Sequence, residues 1–577
     1  LGFIGVSMNM TTPKRQLFKQ CIYIGGLLFL SAALGIIVSI TTNYFVDTVK
    51  WFLGLRTGSI SFFQEADFLF SPVLWLFLAV FILYYVRKIC DITRWHGPSD
   101  AVYASHRTDN ELDLKRGLGS TFAALVSLCG GAPVGQYGPL VNFGASIASF
   151  FSQVTRIRLI TPEILMSCGV AAAISAGFHA PIAGIVFAHE AILRHFSLRA
   201  LLPIAVSSTI SAAFGTWAFG GTPLFSLEVG APELMPLLPA LFISGFVFGI
   251  VALIYMKMIF GFSSIPAKYK LGYLPFALFA AAVTGISGVF FPEILGLGVD
   301  VIYSFITDDL SLTLVLTLLG LKIFLTSLCI GFGIFGGVFS PAIFVGAASG
   351  QFMSHLLSFL SVFAPSTVLA ISGMAAVAAC VVGAPLAVVM IILELTMSYE
   401  YAIAALISTM VAVMVTNNFY GHSFFDKQLE QRGIDLSQGR GNLELMEKQV
   451  SSILTQEYLS VAPEETIGGI IKKMSKSDFS EAYCLNPDGC FVGKCKLSEI
   501  VNARKSDFAK NYLESDSKSI KLDASIMQAI EVASDFVGES IPVISRSDGI
   551  LAGVVTEADI FQAYMSTQVR INDLERS

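Results

Sequence analysis

Of 577 residues, 54% are hydrophobic and only 14% charged, where an ordinary soluble domain carries about 25% charged residues. That balance excludes a soluble globular protein and points to a chain lying largely in a membrane. The net charge of −6 is spread along the sequence and leaves no basic footprint for a nucleic-acid partner.

In chain order, residues 1–16 read as a short N-terminal cytoplasmic segment, with Met8 or Met10 as alternative starts. Lys14, Arg15 and Lys19 then precede the apolar run Cys21–Thr42. This run is too long for a signal h-region and lacks a small-residue cleavage site, so it predicts a retained first helix. Leu69–Val86, Leu237–Phe260, Leu312–Phe332 and Val368–Leu395 each have the length to cross a hydrocarbon core, which takes roughly 20 residues. Lys322 sits inside one of these runs, either facing a pathway or snorkelling. From Asp426 onward charges become dense, a Gly-rich connector follows (Ser437–Gly441), and apolar residues alternate in short runs. That pattern reads as a soluble α/β tail of about 130 residues. Nine cysteines are scattered, and several (Cys129, Cys168, Cys329, Cys380) sit within apolar runs. Cys490 and Cys495 approach ligand spacing without a second Cys or His pair, so no metal site follows.

The membrane part repeats itself. Gly135-Gln136-Tyr137-Gly138-Pro139 with Gly144-Ala145 matches Gly337-Val338-Phe339-Ser340-Pro341 with Gly346-Ala347, offset by 202 (337−135, 346−144). Further on, Gly169…Ala180-Pro181-Ile182-Ala183…Glu190 matches Gly373…Ala384-Pro385-Leu386-Ala387…Glu394, offset by 204 (394−190). Two halves follow, 17–225 and 226–430, and an odd number of crossings in each would invert the second. Hydrophobic segments interrupted by Gly and Pro at matching positions mark a transporter-type binding site. Helices that start inside the membrane expose backbone N–H groups and a dipole suited to an anion. The competing reading is that Gly and Pro only permit close helix packing and kinks. The tail repeats too: Asp488-Gly489…Gly493…Glu499-Ile500 matches Asp548-Gly549…Gly553…Asp559-Ile560, offset by 60 (560−500). Each unit reads as helix, strand, Asp-Gly turn, strand, helix.

On these residues, and on Gly433-Ile434 after the last membrane helix, the chain resembles the CLC family of chloride channels and proton-coupled chloride exchangers over nearly all of 17–430. After a linker at 431–449, residues 450–510 and 511–577 resemble a tandem pair of CBS domains. The resemblance implies an all-α polytopic membrane fold with two inverted repeats, followed by an α/β CBS module. It implies passage of chloride or another monovalent anion, with no enzymatic activity, required cofactor or metal. It also implies a homodimer in the lipid bilayer with one pathway in each subunit and the CBS pair in the cytoplasm. Compact loops and short termini add the expectation of a prokaryotic inner membrane. Anion-coordinating amides are expected at Val338 and Phe339, with Tyr137, Gly138, His96, Gly97 and Phe425 around the pore.

The departures from the family pattern are informative. Members usually carry Gly-(Lys/Arg)-Glu-Gly-Pro, whose Glu gates the pathway; here Tyr137 occupies that place. A free phenol titrates near pH ~10 and stays uncharged at neutrality. It either donates a hydrogen bond to an anion or packs as an aromatic beside the pathway. Exchangers place a second Glu where this chain has Ala191, which leaves Glu190 and Glu394 as structural acids. His96 falls at the central Ser of the family's Gly-Ser-Gly-Ile-Pro segment, although a shifted register puts Ser99 there. Phe425 stands for the pore-facing Tyr. Passive conduction follows from the missing carboxylates; the alternative is an exchanger whose protons travel by His96, His179 or His189.

In the tail, Thr556 and Asp559 have the spacing by which CBS pairs hold the ribose of ATP or another adenine nucleotide, and the first repeat has Lys496 and Glu499 instead. Thr-x-x-Asp is equally an ordinary capping arrangement. A zinc-protease reading of His189-Glu190…His195 fails, because a separation of six residues leaves the two rings about 120° apart on a helix rather than on one face.

Overall fold

The computed structural model describes residues 12–56, 72–107, 109–155, 161–220, 232–269, 272–308, 310–362, 364–436, 439–514, 518–545 and 548–576. The first eleven residues of the expected N-terminal segment lie outside this set. The chain divides into two units, Leu1–Gly433 and Ile434–Ser577.

Among the described residues, each half of the first unit contributes eight α-helices in the same order. The first half has α1 (Thr12–Arg56), α2 (Pro72–Ile89), α3 (Pro98–His106), α4 (Leu114–Cys129), α5 (Tyr137–Thr155), α6 (Pro162–Phe178), α7 (Pro181–Phe187) and α8 (Leu198–Phe219). The second has α9 (Leu234–Tyr269), α10 (Tyr273–Phe290), α11 (Val299–Thr307), α12 (Leu312–Gly331), α13 (Phe339–Phe359), α14 (Ser366–Val382), α15 (Pro385–Thr396) and α16 (Tyr399–Tyr420). The helices α2, α3 and α8 recur as α10, α11 and α16 at an offset of 201 (273−72, 299−98, 399−198). A short α17 (Phe424–Glu430) closes the unit. Eight helices among the described residues are long and apolar enough to cross a membrane.

The glycines that betray the duplication act first as packing residues. A Cβ on Gly144 would lie 2.2 Å from the Gly169 carbonyl oxygen, and one on Gly346 would lie 2.2 Å from that of Gly373. So α5 crosses α6, and α13 crosses α14, at backbone contact. Without a hydrophobic drive between helices in lipid, such close approach supplies the packing energy.

Two expectations need correction. Val368–Leu395 is not one span: Gly383 at φ +77° ends α14, and Pro385 opens α15. Mean hydropathy does not register a turn of this kind. The same corner in the first half has His179 at φ +54° and Pro181. Lys322 neither lines a cavity mouth nor snorkels. Fully buried, it donates from Nζ to the carbonyls of Ile294 (3.0 Å) and Gly296 (2.8 Å), 4.6 Å from the centroid of Phe344. It thereby pins the turn between α10 and α11.

The second unit begins with α18 (Gly439–Glu447), whose Leu445 packs on Ile526 and Ala563. The expected 431–449 linker is thus partly a packed helix. Two three-stranded sheets follow. The first contains β1 (Leu459–Val461), β2 (Glu481–Leu485) and β3 (Phe491–Lys496), with α19 (Ile467–Met474) and α20 (Leu497–Ile500). The second contains β4 (Ile520–Lys521), β5 (Ile541–Ile544) and β6 (Leu551–Val555), with α21 (Ile526–Ser534) and α22 (Glu557–Arg576). In each sheet the outer pair is parallel and the hairpin antiparallel. The short first strand of each unit, missing from the reading by pattern, pairs parallel to the strand after the helix.

The hairpin turns interlock. Phe491 N–H donates to Gly549 O (3.0 Å), and Leu551 N–H donates to Gly489 O (3.1 Å). The two halves also exchange leading segments: Val450 lies in the core of the second sheet, and Tyr512 and Leu513 pack against the core of the first. A boundary at 510/511 therefore follows the repeat in sequence but cuts through both cores.

Candidate functional site

The N-termini of α5 and α13 meet at the centre of the first unit. Gly135 and Gly337 form an antiparallel bridge in which each N–H donates to the other's carbonyl at 2.6 Å. Equivalent residues bonded reciprocally lie on a local two-fold axis. A Cβ on Gly337 would be 2.9 Å from the Gly138 nitrogen, so the approach requires glycine. Beyond the bridge, Val338 is the N-cap of α13, and its carbonyl accepts from the buried Tyr255 hydroxyl at 3.2 Å. Among the described residues, the N–H groups of Val338 and Phe339 have no backbone acceptor. At the start of a helix this is the arrangement that receives an anion.

The other interrupted helices are different. Pro181 and Pro385 begin α7 and α15 and carry no N–H, so Ile182, Ala183, Leu386 and Ala387 present the first donors. Glu394 accepts from Ile182 and Ala183 at 2.9 and 2.7 Å, and Glu190 accepts from Leu386 and Ala387 at 3.1 and 2.7 Å. These helix starts are filled by carboxylates and leave no place for a mobile anion. Glu190 sits in a π-helical segment, Ala188–Leu193, that continues α7, whereas Glu394 lies in regular helix.

Tyr137 is 4% exposed. Its ring stacks on Phe178 (centroids 3.6 Å apart, 20° between planes) and meets Phe339 edge-on at 5.9 Å; its hydroxyl donates to the Gly177 carbonyl at 3.3 Å. A Cβ on Gly177 would meet the Tyr137 ring at 2.8 Å. Tyr137 therefore packs as an aromatic against Phe178 and Phe339, and its hydroxyl is directed to the Gly177 carbonyl.

Two cavities reach this junction, and a third shares Pro98 and Phe425 with the larger of them. A small one of about 20 Å³ is lined by Gln136, Tyr137, Phe178 and Ser340, among others, with room for roughly one water-sized particle. The buried Gln136 Oε1 and Ser340 Oγ have no protein partner. A larger cavity of about 360 Å³ reaches Val338, Gly337 and Pro139, and is walled by Gly97, Pro98, Ser99, Phe424 and Phe425. The third, about 180 Å³, holds Ala191, Glu190 and Arg194, with Phe425 and Asp426 on its other wall.

The structure thus brings together Tyr137, Gly138, Val338, Phe339, Gly97 and Phe425, with Phe425 between the two larger cavities. Gly97 N–H is committed to Asp100 Oδ2 at 3.0 Å, so this residue shapes the wall without offering its amide. His96 is half-buried, with its N–H on Ser120 Oγ at 3.0 Å; of the two registers considered, Ser99 is the one that lines the large cavity. Sequence reasoning missed Phe178, which only the α6 corner brings over Tyr137. It also missed Arg94 and Arg432, whose shared partner Asp100 is 332 residues from Arg432.

In the tail, Thr556 and Asp559 satisfy one another. Thr556 N–H and Oγ1 donate to Asp559 Oδ2 at 3.0 and 2.7 Å, and Asp559 N–H donates to Thr556 Oγ1 at 3.1 Å. This is a complete helix start, and the pair would have to open to hold a ribose.

A duplicated helical unit with eight membrane-length helices among the described residues, and a cavity reaching the free start of α13, has the architecture of an integral membrane protein with a place for an anion. Residues 76–417 match the family model described as voltage gated chloride channel, and residues 509–566 match that of the CBS domain. The chain belongs to the voltage-gated chloride channel family. It is 25% identical over 422 residues to a voltage-gated ClC-type chloride channel ClcB of Salmonella dublin, covering 69% of this chain and 97% of that one. It is 27% identical over 326 residues to an H(+)/Cl(-) exchange transporter ClcA of Vibrio parahaemolyticus, covering 54% and 68%. In fold it is similar to a slow cyanobacterial Cl-/H+ antiporter, with a TM-score of 0.63 at 19% identity, covering 70% of this chain and 97% of that chain.

Proposed function

We propose that the first unit conducts chloride or another monovalent anion passively, without stoichiometric proton movement. The observation that carries this reading is Tyr137. A neutral phenol, stacked on Phe178 and bonded to Gly177, stands at the start of α5, where a titrating carboxylate would act as gate and proton carrier. Ala191 removes the second carboxylate, and Glu190 beside it is engaged by two backbone amides. The anion is received by the N–H groups of Val338 and Phe339, bare dipoles that hold a halide without trapping it. Phe425 and Ser99 shape its approach. The protein works as a homodimer in the bilayer of a prokaryotic inner membrane with the tail in the cytoplasm, and Thr556 and Asp559 take an adenine nucleotide once their mutual bonds open.

A second reading, a proton-coupled exchanger with atypical carriers, draws on relatives named as exchange transporters and on the cavity that places Glu190 beside Ala191. Chloride efflux from proteoliposomes separates the two, with valinomycin setting the voltage and a pH electrode recording protons. Rapid efflux without proton movement supports passive conduction. Protons locked to chloride flux would end that reading and direct attention to Glu190, His96, His179 and His189.

A further inference from the structure

The wall of the large cavity carries two arginines. Arg94 and Arg432 both line it, as do Gln428 and Gln431. Both guanidiniums are bound to one carboxylate. Arg94 is bidentate on Asp100, at 2.5 and 3.1 Å, and Arg432 reaches Asp100 Oδ1 at 3.0 Å. The Asp100 side chain is 6% exposed, against 45% and 26% for Arg94 and Arg432. The negative partner is thus tucked beneath, where it also takes the Gly97 N–H, while the cations face the cavity. Two cations on one anion leave a net charge of +1 (2−1) at the wall.

A residual positive charge in a concave, low-dielectric wall concentrates counter-ions and raises their arrival rate. Guanidiniums already braced on a carboxylate lose little conformational freedom and keep further N–H groups beyond those bound to Asp100. On the reading of the first unit as an anion pathway, we infer that Arg94 and Arg432, braced on Asp100, form an anion-recruiting station in the large cavity. It gathers monovalent anions from the side on which α17 ends and passes them toward Val338. A small inorganic anion such as chloride is held there loosely, by field rather than by a closed ligand shell.

The test is initial chloride efflux of the full chain in proteoliposomes at about 20 mM and about 400 mM salt, where the screening length falls from roughly 20 Å to under 5 Å. Arg432→Gln leaves Asp100 held by Arg94 and Gly97. It should lower efflux about three- to fivefold at low salt and less than about 1.5-fold at high salt. Adding Gln431→Arg, which returns a cation to the same wall from the next residue, should restore most of the low-salt rate. Arg94→Gln should behave like Arg432→Gln. An equal loss at both salts with no rescue by Gln431→Arg would mean that the arginines merely brace α3, and would overturn the inference while leaving the anion pathway intact. If the unsubstituted chain passes no anion under any salt, the pathway reading itself fails, and the station with it.

Discussion

Glu190 and Glu394 each cap the helix that carries the other: Glu190 closes the start of α15, on which Glu394 lies, and Glu394 closes the start of α7, whose π-helical continuation bears Glu190. Each carboxylate takes two N–H groups that no helical carbonyl can reach, so the exchange holds the two halves together from both sides.

Removing either cap should therefore cost the same. Charge-assisted hydrogen bonds contribute about 1.5–3 kcal/mol each when buried, and partial exposure reduces this, so Glu190→Ala and Glu394→Ala should each destabilise by about 2–4 kcal/mol. Glu→Gln at either site should recover part of the loss. Thermal unfolding of the detergent-purified protein is the measurement. A silent substitution at one site beside a severe one at the other would contradict the two-fold argument.

Tyr137 offers a graded series. Tyr137→Phe keeps the stack on Phe178 and loses one bond of 3.3 Å, so chloride flux should change less than about twofold. Tyr137→Ala empties the aromatic cluster and should raise flux. Tyr137→Glu installs an acid that competes with the anion when ionised. Flux through it should rise as pH falls through the carboxylate range, with no proton coupling because Ala191 supplies no second carrier. A flat pH profile for Tyr137→Glu would show that this position does not face the anion.

Lys322→Met leaves the Ile294 and Gly296 carbonyls without their donor in a buried setting. Each unsatisfied group costs about 1–3 kcal/mol, so a clear fall in the unfolding temperature is expected. Lys322→Arg retains a donor and should fall less; equal stability of Met and Lys at this site would remove the pinning role.

Gly144→Ala and Gly346→Ala put a methyl 2.2 Å from a backbone oxygen. Overpacking of this kind costs about 1–3 kcal/mol, occasionally more, and no side chain can swing aside to relieve it. Both variants should lose monodisperse protein on size-exclusion chromatography, to a similar degree.

For the tail, ATP should raise the unfolding temperature of the full chain if the nucleotide site exists, and Thr556→Ala with Asp559→Ala should abolish that rise. No rise in the unsubstituted protein at millimolar ATP would leave Thr556 and Asp559 as a helix start alone.

Much of the fold was legible because its constraints are local. Gly135, Gly337, Pro181 and Pro385 are dictated by backbone geometry wherever they stand, so the duplication survives in the sequence at fixed offsets. What was illegible depends on partners distant in the chain. That the α7 and α15 starts are filled while the α13 start is free follows from where Glu190 and Glu394 arrive, and hydropathy does not encode that. Ser99 lines the large cavity in place of His96 because Gly97 becomes the N-cap of α3, a shift of three residues that motif alignment could not resolve. In the tail, strands of two and three residues are too short for alternation to register, and the exchange of leading segments leaves no trace in the repeat.

The Gly135–Gly337 bridge also limits how this protein can move. Transporters that work by rocking one half against the other need a seam that opens at the substrate. Here the seam is stitched beside the start of α13 by paired backbone bonds, flanked by glycines that admit no spacer. Any rocking of one half against the other would have to break both of these bonds, so the register of residues 135 and 337 ties the two helix starts to each other.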